Sequence, residues 1–127
     1  MAVALKQGVY IVAGKRTPIG MYGGLLRDAL AEDLFAAAAT AALKAGGIPA
    51  DLVDTVNIGH VNPLSPTGLS PRHAALKTGI PVERPVLSLN RLSGSAFNAI
   101  ICSAQVRLRI LKLIPYELRT FLSYKGK

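Results

Sequence analysis

The sequence predicts an α/β fold in which short strands alternate with helices. Three apolar runs have the length of strands, at Gly8–Ala13, Thr55–Gly59 and Val82–Leu89. A segment with helical composition or spacing follows each of them, and loops rich in Gly and Pro lie between. Strand, helix, strand at this spacing indicates a βαβ unit with parallel strands. We therefore expect three β-α units, in the order β-α-β-α-β-α, with a mostly parallel sheet. At 127 residues the chain can form one domain with a modest core.

The first predicted strand, Gly8–Ala13, is a β-branched run that Gly14 closes. The segment Lys15–Gly24 contains Pro18 and three glycines, which predict a loop. Its spacing matches neither a Walker A motif nor a dinucleotide fingerprint, so it does not predict phosphate binding.

The first predicted helix covers Asp33–Ala45, and Gly46-Gly47 is its expected stop. Glu32 and Asp33 lie at its start and Lys44 lies in its last turn, as the helix dipole favours. The two adjacent carboxylates are typical of a helix start, and we do not assign them to acid/base catalysis.

The middle of the chain repeats the strand and helix order. We expect a turn with a short helical step, a strand, a loop, a short helix that ends at Gly79, and a strand. These are Pro49–Asp54, Thr55–Gly59, His60–Ser70, Pro71–Thr78 and Val82–Leu89.

The end of the last strand, Val86–Leu89, leads through a polar turn into a helical segment. The helical spacing is carried by Phe97, Ile100, Ile101 and Ala104. Ser93 would then lie at a helix N-terminus, where unpaired backbone N–H groups stabilise a developing anion. Such a serine is a candidate nucleophile for attack on a carbonyl. The alternative is that Ser93 or Ser95 is a plain N-cap residue.

Two histidines and one cysteine are the remaining candidates for chemistry. His60 follows the second predicted strand and His73 lies on the short helix, but no acidic residue stands at a recognisable triad spacing from either. A base for Ser93 and an ordinary polar or packing role are the alternatives for both. Cys102 lies among apolar residues, so we expect a buried structural thiol. A single cysteine forms no internal disulfide, which fits a reducing compartment.

The segment Asn90–Phe97 resembles the nucleophile segment of the thiolases, which cleave 3-ketoacyl-CoA with a second CoA. Its Asn-Arg-Leu opening is most similar to the mitochondrial 3-ketoacyl-CoA thiolase branch, the acetyl-CoA acyltransferases. Ser93 stands where the family has its acyl-accepting cysteine, and Ala96 stands where a glycine is usual. The loop Lys15–Gly24 is a second point of resemblance. Neither histidine resembles the family's catalytic histidine.

The resemblance runs from about Gly8 to about Gln105 and implies an incomplete thiolase-like N-terminal domain at 1–105, with a divergent basic tail at 106–127. It implies an acyltransferase of mitochondrial fatty-acid β-oxidation with CoA and acyl-CoA as substrates, and neither a cofactor nor a metal. Family thiolases keep their other acid/base residues in a C-terminal half and dimerise through their N-terminal domains. We therefore expect this chain to be inactive alone, or to be a non-catalytic fragment that pairs with a full-length thiolase subunit.

The net charge of +8 is concentrated in the tail, where six Lys/Arg against one Glu give +5. Residues 1–105 hold nine Lys/Arg against six Asp/Glu, or +3, so the charge does not predict a nucleic-acid partner. A basic amphipathic tail on an anionic membrane is an alternative, but Pro115 and a mixed apolar pattern argue against it. No apolar run is long enough for a transmembrane helix. Met1–Gln7 does not resemble a secretory signal or a transit peptide.

Overall fold

The structure is a computed structural model that describes residues 9–61 and 70–110. Its regular elements are three α-helices, two strands and one short 3₁₀-helix. In chain order they are α1 (Ala31–Gly46), the 3₁₀-helix (Ala50–Leu52), β1 (Val56–Gly59), α2 (Ser70–Lys77), β2 (Val86–Leu89) and α3 (Ser95–Ile110). The predicted α/β class is confirmed, and the predicted helices and the last two strands are present with shifted ends.

The two strands form a parallel pair. Val56 lies opposite Val86 and Gly59 lies opposite Leu89, so both strands end at the same edge of the sheet. Helix α2 lies in the connection between them, which makes this part of the chain a β-α-β unit. The residues that follow β1 and β2 are therefore brought together at the carboxyl edge of the sheet.

Helix α1 forms where the alanine-rich composition predicts it. Glu32 and Asp33 are in its first turn and Lys44 is in its last turn. Gly47 ends the helix with φ of 62°, a left-handed conformation that glycine adopts without a Cβ clash. Its N–H donates to the Lys44 carbonyl at 3.2 Å, and the Ile48 N–H donates to the Leu43 carbonyl at 2.9 Å. The helix stop predicted at Gly46-Gly47 is confirmed.

Helices α1 and α2 lie on one face of the sheet, and α3 lies on the other. The apolar core is on the face that carries α1 and α2, and it is formed by Phe35, Ala39, Ala42, Leu43, Val53, Val56, Ile58, Ala74, Ala75 and Ile80. Side chains alternate along β1, so Val56 and Ile58 enter this core whereas Asn57 and Gly59 face α3. Asn57 Nδ2 donates to Ser103 Oγ of α3 at 2.5 Å.

The predicted first strand is wrong for residues 9–13, which form no regular structure. The side chains of Tyr10 and Ile11 are both 81% exposed and that of Val12 is 67% exposed, although Ala13 packs against the core. A β-branched run forms a strand only where a neighbouring strand supplies ladder hydrogen bonds and its side chains are buried. Residues 9–13 have neither. The predicted loop that follows, Lys15–Gly24, is irregular as expected.

The last strand is shorter than predicted because residues 82–84 form a turn. The Arg84 N–H donates to the Pro81 carbonyl at 3.1 Å, and Nη1 of Arg72 donates to the carbonyls of Val82 at 3.3 Å and Arg84 at 2.7 Å. Most of the predicted loop His60–Ser70, at 62–69, and of the tail, at 111–127, lies outside the described residues. Helix α3 continues past Gln105 to Ile110. Among the described helices, none has the combination of length and hydrophobicity that a membrane span requires.

Candidate functional site at the β2–α3 turn

The turn between β2 and α3 places Ser93 on the surface, directly before a helix. Ser93 is exposed, and α3 starts two residues later. The first hydrogen bond of the helix runs from the Asn98 N–H to the Gly94 carbonyl at 2.9 Å, so Gly94 is the N-cap residue. The strand-turn-helix predicted around Ser93 is confirmed, whereas the alternative that Ser93 or Ser95 is the N-cap is wrong.

Ser95, the first helical residue, is buried, with 2% of its surface exposed. Its hydroxyl accepts a hydrogen bond from the Arg91 N–H at 2.8 Å and donates one to the Leu92 carbonyl at 2.6 Å. The Ser95 N–H donates to the same carbonyl at 3.0 Å, and the Gly94 N–H donates to the Arg91 carbonyl at 3.0 Å. These N–H groups are used inside the turn, so neither is available to stabilise an oxyanion.

The backbone of Leu92 adopts a left-handed conformation, with φ of 48°. Among the described residues it is the one non-glycine residue with positive φ. This conformation costs roughly 1–2 kcal/mol for a residue with a Cβ. Strain of this kind persists only where surrounding contacts enforce it, and it is concentrated at functional sites.

Asn90 joins the turn to the segment that follows β1. Its Nδ2 donates to the Val61 carbonyl at 3.1 Å, and its Oδ1 accepts from the Leu92 N–H at 3.0 Å. The second bond is an Asx-turn, which supports the Leu92 conformation from the exposed side. One short side chain therefore connects the ends of the two strands.

The start of α3 lies against the end of β1 with no space for a side chain between them. A Cβ at Gly59 would overlap the Ala96 nitrogen and the Ser95 carbonyl carbon, and would lie 2.5 Å from the Ser95 oxygen. Only glycine therefore fits at position 59, and this close approach fixes where the Ser93 turn sits relative to the sheet. Glycine inside a predicted strand is the sequence signal that could have indicated it.

Neither histidine is placed as a base for Ser93. The His60 N–H donates to the Leu89 carbonyl at 3.0 Å, but His60 lies two residues after Ile58 and its side chain faces the α1–α2 side. There it is 7% exposed and lines a small cavity with Glu32 and Ser70. His73 is half-buried on α2, on the same side of the sheet. Within the described residues the Ser93 hydroxyl has no hydrogen-bond partner.

Glu32 also connects α1 to α2. Its side chain is buried, with 6% exposed, and Oε2 accepts a hydrogen bond from the Ser70 hydroxyl at 2.9 Å. The bond ties the first turn of α1 to the first residue of α2. Ser70 itself is 4% exposed, so its hydroxyl is closed to a substrate.

Three large apolar residues in the first half of α3 do not enter the core. Phe97 is 68% exposed, and Ile100 and Ile101 are each 37% exposed, whereas Ala99 is fully buried. The helix approaches the sheet so closely that only small residues fit between them. Cys102, expected to be buried, is only partly buried on this helix.

Among the described residues, the site offers the exposed Ser93 hydroxyl at a strained turn before a helix, without an adjacent base. A serine hydroxyl is not ionised near neutral pH, whereas a cysteine thiol in such a position readily becomes a thiolate. In the described residues no group of three or more His, Cys, Asp or Glu side chains could hold a metal ion.

Comparison with known proteins identifies the family. The family model described as the N-terminal domain of thiolase matches residues 9–108. The chain belongs to the thiolase family. It is 48% identical over 104 residues to the mitochondrial 3-ketoacyl-CoA thiolase of Rattus norvegicus, a match that covers 81% of this chain and 26% of that protein. The chain thus spans about a quarter of the length of this thiolase.

Solved thiolase structures have the same fold. A crystal structure of human mitochondrial 3-ketoacyl-CoA thiolase in complex with CoA matches with a TM-score of 0.71 and 48% identity, over 74% of this chain and 24% of that one. The Acat5 thiolase from Ascaris suum in complex with coenzyme A matches with a TM-score of 0.76 and 25% identity, over 79% of this chain and 26% of that one. The resemblance of Asn90–Phe97 and of Lys15–Gly24 to thiolases is confirmed at the level of the family.

Proposed function

We propose that this thiolase-family chain carries the acyl-accepting segment of a 3-ketoacyl-CoA thiolase, with position 93 as the acceptor. The observation that supports this most directly is the placement of Ser93, exposed on a strained turn immediately before α3. CoA and 3-ketoacyl-CoA are the proposed substrates, since the relative from Rattus norvegicus is a 3-ketoacyl-CoA thiolase and two solved thiolase structures are complexes with CoA.

We further propose that the 127-residue chain does not turn over as it stands. Acyl transfer through Ser93 requires a base to remove its proton, and the described residues place none in contact with the hydroxyl. His60 faces the α1–α2 side of the sheet and His73 is on α2, whereas α3 lies on the other side. Thiolysis of acetoacetyl-CoA by the wild-type chain should therefore equal that of a heat-denatured control.

Acylation of the Ser93→Cys variant tests the role of position 93. A thiolate at this position attacks the acyl carbonyl of acetyl-CoA, forms a new thioester and releases CoA thiolate. Mass spectrometry should then find one acetyl group on the peptide that contains position 93. The wild-type chain is the matched control, because its one thiol is Cys102. Equal acetylation of the two chains, or acetylation confined to Cys102, would contradict the proposal.

A non-catalytic role is the second candidate, and the exposed apolar side chains favour it. Tyr10, Ile11, Leu92 and Phe97 are each at least 68% exposed, so a polypeptide that covered them would remove apolar surface from water. The proposed partner is a full-length thiolase subunit. Co-expression with an intact mitochondrial thiolase and a pull-down should recover both chains. Recovery of the intact thiolase alone would refute this role.

The proposed location is the mitochondrion and the proposed process is fatty-acid β-oxidation. Both rest on the names of the relatives, which are mitochondrial thiolases. Uptake of the radiolabelled chain into isolated mitochondria, with protection from added protease, is the expected result. Full digestion by the protease under the same conditions would count against it.

A further inference from the structure

The Ser95 hydroxyl bridges the Asn90–Arg91 and Leu92–Ser93 peptide groups, which lie on either side of the Arg91–Leu92 pair. It accepts from the Arg91 N–H and donates to the Leu92 carbonyl, at 2.8 and 2.6 Å. A serine hydroxyl has one proton to donate, so its orientation is fixed by this pair of contacts. Burial protects both bonds from competition with water, since Ser95 is only 2% exposed.

The bridged pair includes Leu92, the residue directly before position 93. Leu92 has φ of 48°, which its own Cβ disfavours, so the turn would relax if its supports were removed. Asn90 provides the second support, through its bond from the Leu92 N–H at 3.0 Å, but this side chain is exposed. The buried hydroxyl is thus the stronger of the two constraints on the turn.

We propose that Ser95 is a positioning residue for position 93: its hydroxyl holds the Arg91–Leu92 backbone in the turn that keeps the acyl-accepting side chain before the N-terminus of α3. The inference rests on the proposed function, since it concerns the residue that accepts the acyl group there. Ser95 itself touches neither substrate nor reacting atom, because it is buried behind the turn.

The test measures the reactivity of a thiol at position 93 and needs no turnover. In the full 127-residue chain, Ser93→Cys is combined with Cys102→Ala, so that one thiol remains. The rate of alkylation by iodoacetamide is followed against pH, which gives an apparent pKa for that thiol. A helix N-terminus lowers the pKa of a neighbouring thiol, so a loosened turn should raise it.

Adding Ser95→Ala should lower the alkylation rate near neutral pH about tenfold, equivalent to roughly one unit of apparent pKa. Asn90→Ala should act in the same direction by about threefold, because its bonds are exposed to water. Ser103→Ala is the matched control. It removes another hydroxyl from α3, one that donates to the Ala99 carbonyl at 3.0 Å and accepts from Asn57 Nδ2 of β1, so it weakens the contact of α3 with the sheet without removing a bond of the turn.

Far-UV circular dichroism of each variant establishes whether it is folded. If Ser95→Ala has lost its helical signal, Asn90→Ala decides the question. Alkylation profiles of Ser95→Ala and Asn90→Ala that coincide with that of Ser103→Ala would overturn the positioning role. Failure of this test is distinguishable from failure of the proposed function. The alkylation profile reports the reactivity of the thiol whether or not acetyl-CoA acetylates it.

Discussion

Replacing Gly59 by alanine should destabilise the fold more than any other single methyl addition among the described glycines. The new Cβ would overlap the Ala96 nitrogen and the Ser95 carbonyl carbon and lie 2.5 Å from the Ser95 oxygen. Ordinary contacts are about 3.5–4 Å, so α3 has to move by roughly 1 Å. The obstructing atoms are all backbone, so no side-chain rotation relieves the overlap. Overpacking costs about 1–3 kcal/mol, and we expect about 3 kcal/mol here.

Urea denaturation followed by far-UV circular dichroism measures this loss in free energy of unfolding. Gly14→Ala is the matched control, because a Cβ at Gly14 meets no atom within 4 Å. Its free energy of unfolding should stay within about 0.5 kcal/mol of wild type. If Gly59→Ala and Gly14→Ala unfold at the same urea concentration, the close approach of α3 to β1 is not a constraint and the reasoning fails.

Two further substitutions separate a buried hydrogen bond from an exposed ion pair. Ser70→Ala leaves the buried Glu32 carboxylate without its hydroxyl donor and should lower the free energy of unfolding by about 2 kcal/mol; a change below that of Gly14→Ala would contradict this. Lys77→Ala removes the 2.6 Å ion pair with Asp33; the side chain of Lys77 is 43% exposed and that of Asp33 is 50% exposed. The substitution should lower the free energy of unfolding by less than about 1 kcal/mol, and this loss should decrease with added salt. A larger, salt-independent loss in the same urea assay would show that this pair is effectively buried.

Local composition predicts the elements whose stability depends on residues close in sequence. Helix α1 is alanine-rich and ends at Gly47, so its stop follows from backbone conformation alone. The parallel pairing of β1 and β2 followed from the order of elements, because a helix between two strands favours a parallel crossover. The run at residues 9–13 has the same composition as a strand but depends on a neighbouring strand, which composition does not specify.

The sequence predicts the position of the site but not the contacts that hold it in place. The placement of Ser93 before a helix followed from the strand-turn-helix pattern and from the resemblance to thiolases. The contact between Gly59 and Ser95 joins residues 36 positions apart, so no local pattern reveals it. For Ser95 the sequence predicts only an N-cap role, since the spacing of polar residues does not say whether a hydroxyl bonds forward or backward along the chain.

The unequal packing of the two sheet faces has a consequence for amide hydrogen exchange. The α1–α2 face contains the apolar core, whereas α3 is held to β1 by close backbone contact, the buried Ala99 and the bond between Asn57 and Ser103. Elements with little buried apolar surface open with a lower free energy than the core. The amides of α3 should therefore exchange before those of α1, and the helix that follows the Ser93 turn is then the first to separate from the sheet by sub-global opening.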